Sequence, residues 1–169
     1  MTIQFLNCGG TIDKTYNPSK EMFEHTTTHW GEIFSRARIS QEIEIKMEEL
    51  FLKDSLDMSE KDVEHIVTTC TYSEYEKILI AHGTSKMQYA AQKLGERKLP
   101  KTIVLFGAML PFELEQSDAL FNFGVALAAV QIKGYGVYIA MNGKIFPWDA
   151  VKKDEENAVF VSQKEKFTP

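Results

Sequence analysis

The sequence predicts an α/β fold, a mostly parallel open sheet with helices on both faces. Three observations carry this. Short apolar runs rich in β-formers recur along the chain, segments with i, i+3, i+4 apolar spacing stand between them, and three runs lead into a hydroxyl residue, Thr11, Ser55 and Thr84. Alternation of this kind forces parallel pairing, because each helix must carry the chain back before the next strand starts. At 169 residues the chain is expected to be one domain, spanning 1–169, with a core that needs no staples.

The first unit is residues 3–13, Ile-Gln-Phe-Leu-Asn-Cys-Gly-Gly-Thr-Ile-Asp. An apolar run broken by two glycines reads as a buried strand ending in a sharp turn. In an open α/β sheet ligands bind at the carboxyl ends of strands, and glycine there lets backbone approach closely. Thr11 is a nucleophile, a phosphate donor or a turn residue on this spacing alone. Residues 13–20 read as a loop leaving the strand. Tyr16 either folds back over Thr11 or packs at the surface, and residues 24–29 form a mobile lid or a packed loop. Trp30, Ile33, Phe34 and Ala37 then mark a helix near 29–38. His25 and His29 are four apart but gather no acidic or thiol partner, so no metal is expected.

Ile43 and Ile45 alternate with charged residues as a second strand, and residues 54–58 form a strand-to-helix loop. Ser59 with Asp62 resembles a capping box ahead of the stripe Val63, Ile66, Val67, Cys70. Lys77–Ala81 is a short buried strand running into His82, Gly83 and Thr84. Ser85 is the expected N-cap of the helix bearing Met87, Ala90, Ala91 and Leu94. A helix start there adds free N–H groups and a positive dipole end, suited to a carboxylate or an oxyanion. His82 reads as a hydrogen-bonded structural histidine or a base. Lys101 precedes the strand Thr102–Phe106, and simple register sets it at the opposite end from the hydroxyls. Ser117 or Asp118 caps an apolar helix through Val130, Gly136–Met141 is the last core strand, and Asn142-Gly143 is a hairpin turn. The charged tail from Lys152 is expected to pack loosely.

The formal net charge is −5 and no basic block appears, which argues against nucleic acid. No apolar run approaches the ~20 residues of a membrane helix, and no signal peptide is read at the start. Cys8 and Cys70 lack metal spacing and read as buried reduced thiols. A cytoplasmic location is expected.

Asn7-Cys8-Gly9-Gly10-Thr11-Ile12, Asp54-Ser55-Leu56-Asp57-Met58, His82-Gly83-Thr84, Lys101 through Gly107-Ala108-Met109 with Pro111, and Asp118-Ala119-Leu120-Phe121-Asn122 together resemble the bacterial-type L-asparaginase family, in its amino-terminal domain. The resemblance implies a three-layer α/β/α, Rossmann/flavodoxin-like fold, with the chain a short-chain, single-domain member lacking the family's carboxy-terminal domain. It implies hydrolysis of the side-chain amide of L-asparagine or a related small amide through a threonine ester, releasing ammonia without a cofactor. Thr11 would be the nucleophile, Tyr16 its helper, and Thr84 with Lys101 the pair that handles protons and water. A lysine serves there only if its pKa is lowered. Gly10, Asp54, Ser55, Leu56, Gly83 and Ser85 would line the substrate site, with Ser55 gripping a carboxylate. The family pattern His-Gly-Thr-Asp-Thr-Met reads His82-Gly83-Thr84-Ser85-Lys86-Met87 here, so the carboxylate for a substrate ammonium is missing. The alternative is a weakly active or non-catalytic protein that binds a small carboxylate or a partner. A homodimer or homotetramer is expected, one copy helping to cover the loop after Thr11.

Overall fold

In the first strand, β1 (Thr2–Gly9), Ile3 and Phe5 face one core while Leu6 and Cys8 face the other, all fully buried. A strand apolar on both faces belongs at the centre of a sheet with helices on either side. The computed structural model describes residues 1–163 and gives β1 that place.

After β1, a short hairpin of β2 (Lys14–Asn17) and β3 (Met22–His25) precedes α1 (Trp30–Ala37). Then follow β4 (Glu44–Lys53), α2 (Glu60–Tyr72), β5 (Lys77–Ala81), α3 (Met87–Glu96) and β6 (Thr102–Phe106). The chain continues through α4 (Ala119–Ile132), β7 (Gly136–Met141), β8 (Lys144–Pro147), β9 (Val151–Asp154) and β10 (Val159–Ser162). The main sheet has the order β4-β1-β5-β6-β7-β8; only the β7–β8 pairing is antiparallel. The Asn142-Gly143 turn joins that pair with positive φ at both residues, 54° and 75°, as a two-residue hairpin requires.

Helices α2 and α3 pack on the face that holds Leu6 and Cys8, and α1 and α4 on the face that holds Phe5. Both cysteines are free and buried in the first of these cores. The α3 and α4 crossovers step the same way across the sheet but lie on opposite faces, so they have opposite hands. Since β-α-β crossovers are right-handed in about 98% of cases, the β6-α4-β7 connection is the exceptional one.

Two expectations are corrected. The stretch from Lys152 does not hang loosely: β9 and β10 pair, and Val151 and Phe160 are buried in the core. The apolar β-forming run Val159-Phe160-Val161 supplies that strand signal. Residues 164–169 lie outside the described residues. The 13–20 loop is a β-hairpin arm rather than an irregular connection. Among the described residues no helix is long and apolar enough to cross a membrane.

Candidate active site

Strand order reverses between β1 and β5: the chain leaves β1 for β4 on one side and later returns to β5 on the other. Ligands bind outside the carboxyl ends of strands at such a switch point. Thr11 follows β1 and Thr84 follows β5, so both hydroxyls stand there.

The two turns touch backbone to backbone. A Cβ on Gly10 would lie 2.5 Å from both Cα and N of Gly83, and Gly10 has φ 86°. Glycine alone satisfies both conditions. A Cβ on Gly83 would lie 2.6 Å from Cβ and Oγ of Ser55, so the third hydroxyl closes the stack. Ser55 begins a single 3-10 turn after β4, capped by Asp54, which accepts from the Leu56 N–H at 2.9 Å. Ser55 is buried, and its Oγ accepts the Ser85 N–H at 3.1 Å. That leaves the hydroxyl proton free to donate to a ligand carboxylate.

Thr11 opens its own 3-10 turn, held by buried Asp13. The Asp13 carboxylate accepts from Asn7 Nδ2 at 2.7 Å, the His29 N–H at 2.8 Å and Thr28 Oγ1 at 3.1 Å. The Gly10 N–H donates to Lys53 O at 2.9 Å, so Gly10 spaces the site and offers no free donor. His25 Nε2 lies 2.9 Å from Gly10 O, and His29 Nε2 3.1 Å from Thr15 Oγ1. Lys14 ion-pairs with Asp54. Burial alone would raise the Asp54 pKa; the hydrogen bonds from Lys14 and the Leu56 N–H outweigh it and leave the carboxyl below its usual value. Residues 24–29 are thus a packed arm tied to the Thr11 turn, and the two histidines brace it.

Tyr16 lies on β2. Its ring packs edge-on against Phe23 at 5.4 Å and is 47% exposed, while its N–H donates to Glu113 at 2.7 Å. His82 is fully buried: Nδ1–H donates to Gly83 O at 2.7 Å, and Nε2 has no protein partner among the described residues. Burial lowers its pKa to about 4, against the Gly83 bond that raises it, so the ring is neutral at pH 7.

The structure corrects Lys101. Its amine donates to the carbonyls of Ser73 and Tyr75, just past the end of α2, at the amino edge of the sheet. A five-residue strand, roughly 17 Å at 3.3 Å per residue, separates that edge from Thr84. Lys101 is a buried cation at a helix C-terminus, where the dipole favours it. Register forbids the catalytic role that the resemblance implied.

A different lysine stands on a hairpin tied to the carboxyl edge of the sheet. Lys153 pairs with Phe160, and the Phe160 N–H donates at 2.8 Å to Oδ1 of Asn142, the residue after β7. Lys153 shares a face of β9 with buried Val151, and its side chain is 14% exposed, paired to Glu155 at 2.9 Å. The apolar run Val159-Phe160-Val161, following Asn157, was the sequence signal for this hairpin.

One more expectation changes. Ser85 does not cap α3 with its side chain; the helix begins after Lys86, and Ser85 is exposed. Lys86 does not face solvent: its amine donates to the carbonyls of Met58 at 2.6 Å and Leu56 at 3.1 Å. Leu56 itself is 67% exposed, so its backbone alone belongs to the site. Sequence reasoning also missed the brace of the neighbouring loop. Asp118 accepts the N–H groups of Met109 and Leu110 at 2.9 and 3.1 Å, and Asn122 Nδ2 donates to Asp118 at 2.7 Å and to Gly107 O at 3.0 Å. A polar pair at i, i+4 at the start of a mostly apolar helix was the signal.

The family description "Asparaginase, N-terminal" matches residues 2–167. The chain belongs to the asparaginase family. An L-asparaginase of Thermococcus kodakarensis is 38% identical over 85 residues, covering 48% of this chain and 26% of that protein. One component of a glutamyl-tRNA(Gln) amidotransferase of Pyrococcus furiosus is 31% identical over 154 residues, 85% of this chain and 34% of the other. The solved thermostable L-asparaginase of Thermococcus kodakarensis superposes with a TM-score of 0.82 at 28% identity, covering 96% of this chain and 51% of that one. The chain thus spans about half the length of this solved asparaginase and less of the curated relatives. The fold that the asparaginase resemblance implied, a mostly parallel α/β domain, is the one found.

Proposed function

We propose that this asparaginase-family domain hydrolyses the side-chain amide of L-asparagine or a related small amide, with Thr11 as nucleophile. The observation that carries the reading is the contact of Gly10 with Gly83, which sets two threonine turns side by side at the switch point, with the Ser55 hydroxyl behind them.

Ser55 donates its hydroxyl to the substrate carboxylate. Thr11 Oγ attacks the amide carbonyl, the C–N bond breaks, and ammonia leaves with the proton that the threonine gives up. Water then attacks the Thr11 ester, and the acid departs as Thr11 regains a proton. A threonine hydroxyl needs a partner that takes its proton. Thr84 and the Lys153 amine are assigned that relay, with Lys153 in place of Lys101. Backbone N–H groups around Gly83 and Thr84 are assigned to hold the developing oxyanion, an effect typically worth about 3–4 kcal/mol. Tyr16 keeps the helper role on the arm.

A second reading, a binder of small carboxylates with weak turnover, is favoured by one observation. Ser85 supplies no negative charge for an α-ammonium, and the nearby Lys86 cation is fixed on carbonyls. Ammonia release from asparagine, glutamine and succinamate, measured side by side, separates the two. Turnover of any of them, lost in a folded Thr11→Ala protein, supports hydrolysis. Binding of aspartate or succinate without ammonia release from any amide supports the binder.

A further inference from the structure

A small amide gripped by its carboxylate at Ser55 must also find room for whatever else it carries, and the fixed charges around that grip decide what is accepted. Three charged side chains are held against the Ser55 turn. Asp54, the cap of the turn, accepts the Leu56 N–H at 2.9 Å through Oδ1. The Lys14 amine donates to Oδ2 of the same carboxylate. The Lys86 amine donates to the carbonyls of Leu56 and Met58. Asp57 stands on the turn too, but it is exposed, where water screens it.

The Lys14–Asp54 pair is placed where a substrate has to pass. Lys14 closes the Thr11 turn and opens β2, and Asp54 immediately precedes Ser55. The pair therefore ties the Thr11 turn to the Ser55 turn, the two turns that a substrate attacked by Thr11 and gripped by Ser55 must touch. Its side chains are 23% and 25% exposed, so it is set into the fold and still open to a ligand. Burial works against ionisation of Asp54, but the Lys14 and Leu56 hydrogen bonds outweigh it, so the pair stays charged at neutral pH. Other acids near the turns are committed. Asp13 is buried and accepts from Asn7, Thr28 and the His29 N–H, and Asp118 is fixed on the Met109 loop. Ser85 carries no charge. A substrate ammonium is left with Asp54, and Lys14 already holds it.

We propose that Lys14 sets the substrate class: by occupying Asp54 it shuts out an α-ammonium, and the site takes the monoamide of a dicarboxylic acid that has none, with succinamate as the simplest case. An ammonium that displaced Lys14 would leave that cation half-buried without its partner, and one that did not would lie beside two fixed cations; both are costly. Succinamate carries a net negative charge and L-asparagine none. Two cations against one carboxylate at the turn favour the anion. This selectivity rests on the proposed site between Thr11 and Ser55, and it governs binding whether or not turnover follows.

The test compares two matched pairs: succinate with aspartate in calorimetry on Thr11→Ala protein, and succinamate with L-asparagine in ammonia release by protein that keeps Thr11. In both, the member without the ammonium is favoured by about tenfold or more, the weight of one charged hydrogen bond. Lys14→Met bares the Asp54 carboxylate and moves both ratios toward the ammonium-bearing member by a similar factor. Adding Asp54→Asn undoes the move, while the new amide oxygen still accepts the Leu56 N–H and keeps the turn capped. Asp54→Asn alone leaves the Lys14 cation unpaired and moves the ratios the other way, which reads the same pair should Lys14→Met fail to fold. Lys20→Met strips a cation of the same arm that pairs with Glu24, and it leaves both ratios where they were. A lysine that only braced the arm would weaken both members of each pair alike. Wild type that favours L-asparagine, Thr11→Ala protein that binds aspartate as tightly as succinate or binds neither, or ratios that Lys14→Met leaves unmoved overturn the proposal. Binding ratios that move as stated, with no ammonia released from any amide, would strike the hydrolysis and uphold the selectivity.

Discussion

Gly10 and Gly83 lie so close that a methyl group on either has no room: the added Cβ would stand 2.5 Å from backbone atoms of Gly83 in one case and 2.6 Å from Ser55 in the other. Three loops from three strands are thereby pressed into one stack, and the hydroxyls of Thr11, Ser55 and Thr84 ride on it. The spacing of the site is set by what is absent, namely two Cβ atoms.

Gly83→Ala should therefore lose at least a hundredfold in the rate of ammonia release, with about 1–3 kcal/mol of stability lost to overpacking. Adding Ser55→Gly removes the atoms in the way. The double variant should regain stability but not activity, because the carboxylate grip goes with Ser55. Denaturant unfolding and ammonia release on the same samples check this; equal stability of the single and double variants would contradict the packing account.

The two lysines separate cleanly. Lys101→Met should destabilise the fold, since it strips a buried cation from two carbonyls, while leaving the rate per folded molecule within about threefold. Lys153→Met should cost about 10²–10⁴-fold in kcat, the usual range for a proton-transfer group, with the unfolding midpoint little changed. Rates corrected for the folded fraction decide between them.

Much of this was legible in the sequence. Strand β5 fell on its expected residues, as did β6 and β7, because each is a short apolar run bounded by polar residues or glycine. The Ser59–Asp62 capping box formed as its spacing implied. The motif threonines fell at one edge because parallel winding leaves no other place for them. Lys101 was misjudged because its motif neighbourhood outweighed its register. Lys153, on the hairpin tied to the carboxyl edge through Asn142, went unread because the charge of that hairpin disguised it as a tail. The reversed hand of the α4 crossover has no local signature, since the same apolar helix packs equally well on either face of an isolated strand pair.

His82 predicts a pH effect with a definite sign. Its folded pKa of about 4 lies below the ordinary 6.5, so between those values the unfolded chain binds a proton that the native state does not. Stability then rises with pH. The contribution is full above pH 6.5 and is lost progressively as pH falls toward 4. Thermal unfolding from pH 7.5 to 4.5 should show the wild-type midpoint falling more steeply than that of His82→Gln. Parallel curves would mean that the ring is not held neutral.

Restoring the missing carboxylate should change selectivity. A charged hydrogen bond is worth about 1.5–3 kcal/mol, or roughly one to two decades in affinity. Ser85→Asp should lower KM for L-asparagine by up to that factor while leaving succinamate unchanged or weaker. Lys86→Thr should be added second, since the Lys86 amine also holds the Ser55 turn through Leu56 and Met58. An unchanged ratio of kcat/KM for the two amides in Ser85→Asp would show that this position does not face the ammonium.

The central claim is a covalent ester on Thr11, and trapping by hydroxylamine tests it most directly. With L-asparagine as substrate, hydroxylamine should divert product from aspartate to the hydroxamate in proportion to its concentration, and folded Thr11→Ala should form neither. Hydrolysis of asparagine that yields no hydroxamate at any hydroxylamine concentration, or that persists in Thr11→Ala, would contradict the account.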